Sequence, residues 1–377
     1  MSEWFSNMND RERRSLEILR ELGQRPAAPF HESGPANYII ETLNSIGLSA
    51  DTDDFGNVIA HYRSSDSDEP PLALVAHMDH PGFEIVEASE SGLMAVALGG
   101  VPQVSLTDPA DVLVILESDV RIPAQILPFP DGDGRTVRVE LSEDVSIEPP
   151  VPVVFDLPDF TLEDGFIRMR ALDDLAGCAA ALSAMERLVA EQAECDIYAV
   201  FTRAEEGGLF GARLMAEART LPPETLVVSI ESSPLIPGVE QGAGPVIRTG
   251  DALYTFDAEA EQVLIVARES IRDRNPDFKS QRQLMSGGVC EGTAFAVWGY
   301  RATGMAFPLG NYHNATTSIR DPESGIGAEF IRVEDFLGGV ELLAEAAKCV
   351  GRRNDSPARE RVREVPEDVR TRMTGGL

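Results

Sequence analysis

The sequence predicts an α/β fold into which a small all-β domain is inserted. Helical patterns alternate with short apolar runs at the start of the chain and again from Phe166, whereas the chain between residues 84 and 164 shows only short alternating runs. Alternating strands and helices are typical of α/β domains, and successive short strands are typical of all-β units. We expect a discontinuous main domain over 1–83 and 165–350, an inserted β domain over 84–164, and a flexible tail over 351–377.

The composition describes an acidic globular protein. The chain has 377 residues, of which 43% are hydrophobic, so it can bury a large core. Its formal net charge of -31 argues against nucleic acid and anionic membranes as partners. There is no long apolar run and no leader with a basic start, so we expect neither a membrane span nor a secretory signal. The four cysteines lack metal-type spacing, which fits reduced thiols in the cytoplasm.

The first predicted elements support the main domain. A helix is expected from a cap at Asn9 to Gly23, and a second from Ser33 to Gly47. Short strands are expected at 48–50 and 58–62.

The next stretch carries the first signal of chemistry. Five apolar residues, Leu72–Ala76, predict a buried strand, and His77 and Asp79 follow at its carboxyl end. Open α/β sheets place their ligand sites at that end. His77 can offer a ring nitrogen to a metal while Asp79 holds the ring, as ligating histidines usually require. Alone, this pair is a weak signal.

Two acidic residues precede the next long helical pattern. Asp173 and Asp174 stand before a helix whose apolar residues recur at helical spacing. A carboxylate at this place is as well explained by an N-terminal helix cap as by a metal ligand, and Asp174 can serve as the cap instead of Asp173.

Further acids and a histidine follow later strands. Glu205 and Glu206 come after the predicted strand Asp196–Thr202 and before a glycine turn. Two adjacent glutamates are more often a solvated surface pair, but a position at the end of a buried strand favours a site. Glu231 is expected directly after the strand that ends at Ile230, and His313 is expected in a loop. A last helix is expected over residues 333–350.

Together these residues form a set that suits metals. Three carboxylates and two imidazoles are expected on one rim of one sheet: His77, Asp173, Glu206, Glu231 and His313. Mixed nitrogen and oxygen ligands suit a pair of Zn²⁺ or Co²⁺ ions bridged by a carboxylate. Such ions lie roughly 3.5–4 Å apart and activate a shared water.

Three motifs, in this order, resemble those of the tetrahedral and glutamyl aminopeptidases of metallopeptidase family 42: Ala76-His77-Met78-Asp79-x-x-Gly82-Phe83, Ala171-Leu172-Asp173-Asp174-x-Ala176-Gly177-Cys178 and Glu205-Glu206-Gly207-x-x-x-Gly211-Ala212. The resemblance implies a mixed-sheet α/β/α two-metal aminopeptidase domain with an inserted β domain. It also implies short peptide substrates and a homo-oligomer, with a dodecamer as one form.

The resemblance implies a role for each candidate residue. Asp173 would bridge two divalent metal ions, with zinc as the expected metal and cobalt as the alternative. His77 and Glu231 would complete one metal site, and Glu206 and His313 the other. Glu205 would be the general base, and Asp79 would support the ligands.

The chain also departs from the family pattern in four places. His80-Pro81 replaces the usual Glu-Ile, and Glu231 stands where the family commonly has Asp, although close relatives use either acid. Asn311-Tyr312-His313 replaces Arg-Tyr-x-His, and Glu291-Gly292-Thr293-Ala294 replaces Gly-Gly-Thr-Asp. The alternative function is a metal-dependent amidohydrolase or deacylase of N-acyl amino acids that uses the same site. A non-catalytic relative is a third hypothesis, which the complete ligand set disfavours.

Overall fold

A computed structural model gives the fold and describes residues 8–64, 69–90, 92–129 and 133–375. The strands are β1 (Ala50–Thr52), β2 (Val58–Arg63), β3 (Leu72–His77), β4 (Gly82–Ser89), β5 (Gly92–Leu98), β6 (Ala110–Ile115), β7 (Arg121–Pro128), β8 (Thr136–Leu141), β9 (Val151–Phe155), β10 (Thr161–Glu163), β11 (Phe166–Met169), β12 (Asp196–Thr202), β13 (Leu226–Pro234), β14 (Val246–Gly250), β15 (Gln281–Leu284), β16 (Arg301–Leu309) and β17 (Glu329–Arg332). The helices are α1 (Asp10–Gly23), α2 (Ser33–Ser45), α3 (Val104–Thr107), α4 (Leu175–Ala190), α5 (Phe210–Ala218), α6 (Ala258–Arg274), α7 (Glu291–Val297), α8 (Val333–Cys349), α9 (Pro357–Arg363) and α10 (Glu367–Thr374).

A mixed eight-stranded sheet forms the centre of the main domain, in the order β1-β2-β12-β3-β13-β16-β14-β15. Strands β12, β3, β13 and β16 run parallel to one another. Strands β2 and β14 pair antiparallel with β12 and β16. Because the four central strands run in the same direction, their carboxyl ends lie along one edge of the sheet. This edge is where open α/β sheets place ligands.

Helices cover both faces of this sheet, as strand β3 shows. Leu72, Leu74 and Ala76 belong to a core that also contains side chains of α1, α4, α6 and α8. Ala73 and Val75 belong to a second core, formed with α5 and α7. Successive residues of a strand point to opposite faces, so a strand covered on both sides is apolar throughout. The predicted α/β/α architecture is therefore confirmed.

The inserted segment forms a closed six-stranded barrel in the order β4-β5-β8-β7-β6-β9. It has its own core, which includes Phe83, Val114 and Phe155. The barrel strands span 82–155, whereas β10 pairs with β11 in a separate three-stranded sheet with β17. The insert consists mainly of strands, as expected, and contains one short helix, α3. The domain limits at 84 and 164 stay a prediction.

Several elements differ from the predictions. Strand β13 continues past Ile230 to Pro234, because its pairing with β16 extends to that residue. Glu231 therefore lies inside the strand and not after it. The first strand is Ala50–Thr52 and not 48–50. Helices α9 and α10 lie within the segment 351–377, whose flexibility stays a prediction. None of the helices in the described ranges is long and apolar enough to cross a membrane.

Candidate metal centre

The parallel strands bring the candidate residues to one edge of the sheet. His77 ends β3, and its neighbour in the adjacent strand, Thr202, ends β12 three residues before Glu205. Glu231 lies near the carboxyl end of β13. His313 follows β16, the next strand of the sheet, in a short 3₁₀ turn. The four strand ends thus converge on one place.

Three groups of three residues have ligand atoms that all lie within 4.8 Å of one another: His77 with Asp173 and Glu231, Asp173 with Glu206 and His313, and His77 with Glu205 and Glu206. Asp173 belongs to the first two groups. Its Oδ1 lies 3.4 Å from the His77 Nε2, and its Oδ2 lies 3.6 Å from the His313 Nε2. The Glu206 Oε1 lies 3.0 Å from the same His313 nitrogen. The five residues expected as metal ligands are therefore brought together.

Backbone carbonyls fix the orientation of both histidines. The His77 Nδ1 lies 3.1 Å from the Asp79 carbonyl, and the His313 Nδ1 lies 3.0 Å from the Gly100 carbonyl. A carbonyl only accepts hydrogen bonds, so each Nδ1 donates and each Nε2 is left to face the carboxylates. A Cβ at Gly100 would lie 2.7 Å from the His313 Nδ1, so this close approach requires glycine. Gly100 follows strand β5, so the inserted segment helps to build the site.

The Asp79 carboxylate positions the two adjacent glutamates. It accepts hydrogen bonds from the backbone N–H groups of Glu205 and Glu206, each at 3.0 Å. Its distance to the His77 Nδ1 is longer, 3.7 Å. Asp79 therefore holds the imidazole through its main-chain carbonyl and the Glu205-Glu206 turn through its side chain.

The two adjacent aspartates have different roles. The Asp174 Oδ1 accepts a hydrogen bond from the Gly177 N–H at 3.2 Å, so Asp174 caps helix α4. Because a Cβ at Gly177 would overlap the Asp174 carboxylate, the cap requires glycine there. The side chain of Asp173 is left to face both histidines.

Sequence reasoning missed several residues that shape the site. Glu329 is fully buried and accepts hydrogen bonds from the backbone N–H groups of Leu172 at 2.7 Å, Asp173 at 2.9 Å and His313 at 2.8 Å. One carboxylate thus fixes the two segments that carry the candidate ligands Asp173 and His313. Nothing in the sequence around Glu329 distinguishes it from an ordinary surface acid.

His80 was noted only as a departure from the family pattern, and it joins the same two segments. Its Nδ1 lies 2.6 Å from the Asp173 carbonyl, and its Nε2 lies 3.0 Å from the Asn314 Oδ1. Burial lowers the pKa of His80, and Glu206 opposes this effect.

A small cavity adjoins the ligand groups, and Asp173, Glu231, Arg248, Cys290 and Tyr312 are among the residues that line it. Arg248 is 2% exposed. Its Nε and Nη1 have no hydrogen-bond partner among the described residues. Sequence reasoning missed Arg248, because a single arginine carries no local signal of burial.

Burial and crowded charge shift the pKa values of the central groups. Burial lowers the pKa of His77 and of His313, but neighbouring carboxylates outweigh it and raise both well above the usual range. Burial raises the pKa of Glu205 well above its usual range and that of Glu231 to about 8, with neighbouring acids adding to the effect. Burial would also raise the pKa of Asp173, but the two nearby imidazoles favour its charged form and lower it.

The centre carries more negative charge than the protein neutralises, and this fits divalent cations. The Asp173 Oδ1 and the Glu231 Oε1 are buried without a hydrogen-bond partner in the part of the chain that the structure describes. An unpaired buried carboxylate oxygen is costly unless a cation or donor reaches it. Imidazole nitrogens with carboxylate oxygens are donors that suit zinc and similar ions.

Comparison with known families agrees with this geometry. A family description for the M42 glutamyl aminopeptidase matches residues 133–326, just over half of the chain. The chain belongs to the M42 glutamyl aminopeptidase family. This membership confirms the predicted class, a peptidase that hydrolyses peptides at their N-terminus, and it implies divalent metals.

Individual relatives of the M42 chain are distant in sequence. SgcX of Escherichia coli (strain K12) is 26% identical over 238 residues, which cover 58% of this chain and 62% of SgcX, less than two thirds of its length. The lysyl aminopeptidase of Pyrococcus furiosus is 27% identical over 266 residues, which cover 62% of this chain and 73% of that protein. The TET1 peptidase of Pyrococcus horikoshii has the same fold, with a TM-score of 0.72 at 22% identity over 88% of this chain and 99% of that one.

Proposed function

We propose that the chain is a two-metal aminopeptidase in which His77, Asp173 and Glu231 hold one ion and Asp173, Glu206 and His313 hold the other. The observation that carries the proposal is the Asp173 carboxylate, whose two oxygens lie near different histidines. The donor set favours zinc, with cobalt as the alternative. When bound, such ions polarise the substrate carbonyl and lower the pKa of water.

Glu205 is proposed as the general base. Its Oε2 lies 3.9 Å from the His77 Nε2, beside the ligand groups. Burial and the nearby acids raise its pKa, which makes it a better proton acceptor than an ordinary carboxylate. The Glu205 carboxylate takes a proton from the attacking water and passes it to the leaving amine. Asp79 holds the backbone of Glu205 in place for both transfers.

Arg248 supports a preference for peptides with an acidic N-terminal residue. Leaving two buried guanidinium donors without hydrogen-bond partners is costly, so the site is adapted to a ligand whose oxygens accept from them. The cavity that Arg248 lines also contains Asp173 and Glu231, so a substrate carboxylate can reach the guanidinium while the peptide lies over the centre. A planar guanidinium suits a carboxylate through paired hydrogen bonds.

Two glutamine variants test the two-metal proposal. Glu205→Gln should keep two metal ions per chain and lose about 10²- to 10⁴-fold in kcat, the usual range for loss of a general base. Glu206→Gln should lose metal as well as activity, because the amide removes an anionic donor beside His313. The measurements are elemental analysis and cleavage of aminoacyl p-nitroanilides by zinc-loaded protein. The proposal fails if wild-type protein with two bound ions cleaves no anilide or peptide with a free amine, or cleaves only N-acyl amino acids.

A third variant tests substrate preference. Arg248→Met keeps length and removes the charge, so it should lower kcat/KM for an α-glutamyl anilide and spare a leucyl anilide. Anilides carry no free α-carboxylate, so a loss seen only with short peptides would assign Arg248 to the peptide C-terminus instead. Equal rates for Arg248→Met and wild type on every substrate would refute both assignments.

The proposal extends to assembly and location. The TET1 peptidase of Pyrococcus horikoshii is described as assembling into a tetrahedron or a large octahedral shell, and tetrahedral rotational symmetry relates twelve identical copies. We propose a homo-oligomer, with the dodecamer as its leading form, and light scattering that shows a monomer at micromolar concentration would contradict it. The four cysteines are buried and free, which supports the cytoplasm as the compartment. The acidic charge continues to predict that nucleic acid is not a partner.

A further inference from the structure

The turn that carries His313 also directs a tyrosine toward the metal centre. Asn311, His313 and Asn314 have φ values of 54°, 53° and 64°, a left-handed conformation that is uncommon for residues other than glycine. The Asn311 Nδ2 donates a hydrogen bond to the Ala328 carbonyl at 2.9 Å, which ties the turn to the segment before β17. Tyr312 is the first residue of this turn and lies between two of these left-handed residues, Asn311 and His313.

The ring of Tyr312 lies against the imidazole of His313. Their centroids are 3.7 Å apart, and their planes differ by 26°. Tyr312 also lines the cavity that contains Asp173, Glu231 and Arg248. The ring thus stands between a proposed metal ligand and the space that is left for a substrate.

The hydroxyl of Tyr312 makes no hydrogen bond within the described part of the chain. Two other tyrosines behave differently, because the hydroxyl of Tyr62 donates to the Ala193 carbonyl at 3.1 Å and that of Tyr300 donates to the Leu221 carbonyl at 2.7 Å. Tyr312 is only half-buried, so its hydroxyl can be reached from the cavity side. The ring of Tyr312 already packs against His313 without its hydroxyl. The hydroxyl is therefore available to hydrogen-bond a molecule bound in the cavity.

We propose that the Tyr312 hydroxyl donates a hydrogen bond to the carbonyl oxygen of the scissile peptide bond, which makes Tyr312 a catalytic residue. The inference rests on the proposed aminopeptidase function. The carboxylates of the site are acceptors that suit the cationic α-amine, and Arg248 suits a carboxylate. The scissile carbonyl oxygen is the remaining acceptor on the substrate, and the neutral Tyr312 hydroxyl is a donor that suits it. This hydrogen bond strengthens as negative charge develops on the oxygen, so it favours the transition state over the bound substrate.

Tyr312→Phe tests the hydroxyl alone, because phenylalanine keeps the ring against His313. With zinc-loaded protein and α-glutamyl p-nitroanilide, we expect kcat to fall about 10²-fold or more while KM stays within about threefold, as when one oxyanion donor is removed. The zinc content should stay unchanged. Tyr300→Phe is the matched control, since it loses a hydroxyl hydrogen bond away from the centre and should keep its kcat.

A binding measurement tests the same hydroxyl without turnover. The probe is an α-aminophosphonate, whose tetrahedral phosphonate carries negative oxygens, and its affinity is measured by calorimetry. Tyr312→Phe should bind it about tenfold more weakly than wild type, and Tyr300→Phe should bind it equally well. Near-normal kcat in Tyr312→Phe, an unchanged phosphonate affinity, or a wild-type protein that does not bind the phosphonate would each refute the inference. A wild-type enzyme that binds the phosphonate and cleaves no peptide would refute the proposed function. The role of the Tyr312 hydroxyl would then be decided by the phosphonate affinities of Tyr312→Phe and wild type.

Discussion

Replacing Asp79 by asparagine should separate the stability of the site from its catalytic geometry. The two carboxylate oxygens accept the backbone N–H groups of Glu205 and Glu206, each at 3.0 Å, and the side chain is fully buried. An asparagine accepts only one of them and turns an NH₂ group toward the other. A buried hydrogen bond to a charged group contributes about 1.5–3 kcal/mol, and an orphaned buried amide costs about 1–3 kcal/mol. We therefore expect a stability loss of about 2–3 kcal/mol.

The chain offers a matched control in Asp335. This buried carboxylate also accepts two backbone N–H groups, from Gly242 and Gly244, each at 2.8 Å, but away from the proposed ligands. Asp335→Asn should lose a similar amount of stability in urea denaturation and keep kcat within a few-fold. Asp79→Asn should also lose about 10²-fold in kcat, because Glu205 is no longer held in place. Equal kcat losses in the two variants, or none in Asp79→Asn, would refute the positioning role of Asp79.

Three further predictions concern metals, protons and the helix cap. In metal-free protein, burial raises the pKa of Glu231 from its ordinary 4.5 to about 8. The free energy of unfolding should therefore fall as pH rises across that interval. Thermal unfolding at several pH values measures this, and a stability that rises with pH would contradict it. Glu329→Gln should lower zinc per chain in elemental analysis, because one amide-accepting oxygen becomes a donor, whereas Glu345→Gln on helix α8 should not; full occupancy would contradict the role of Glu329. Gly177→Ala should displace the Asp174 cap and lower stability by about 1 kcal/mol, measured by urea denaturation, and an unchanged midpoint would show that the cap adapts.

The sequence predicted those parts of the site that depend on local pattern. The apolar run Leu72–Ala76 predicted a buried strand. His77 follows this run, and open α/β sheets place their ligand sites at the carboxyl ends of strands, so His77 was expected in the site. Glu205 and Glu206 were likewise placed by the strand before them. Asp173 stayed ambiguous, because a helix cap and a metal ligand look the same in sequence, and only the Asp174–Gly177 hydrogen bond separates them.

The remaining parts depend on contacts between distant segments, which a single sequence does not display. Arg248 lies on β14, a strand whose short pattern gave no prediction, and its importance comes from the absence of a partner among the described residues. The edge strand β15 was also missed, because its four residues are too short to show a clear pattern. The length of β13, and with it the position of Glu231, is set by pairing with β16 and not by local preference.

The three hydrogen bonds accepted by Glu329 also imply an order in which the centre forms during synthesis. Asp173 and His313 are fixed by a carboxylate that is translated after both of them, on a strand that must still pair with β11. A nascent chain that ends before Glu329 already carries His77 but lacks the carboxylate that orients Asp173, so under the proposed two-metal site we expect such a fragment not to hold both ions in place. Contacts of such large sequence separation form late in folding. Capture of two ions would then mark a chain that has been synthesised and folded almost to its end.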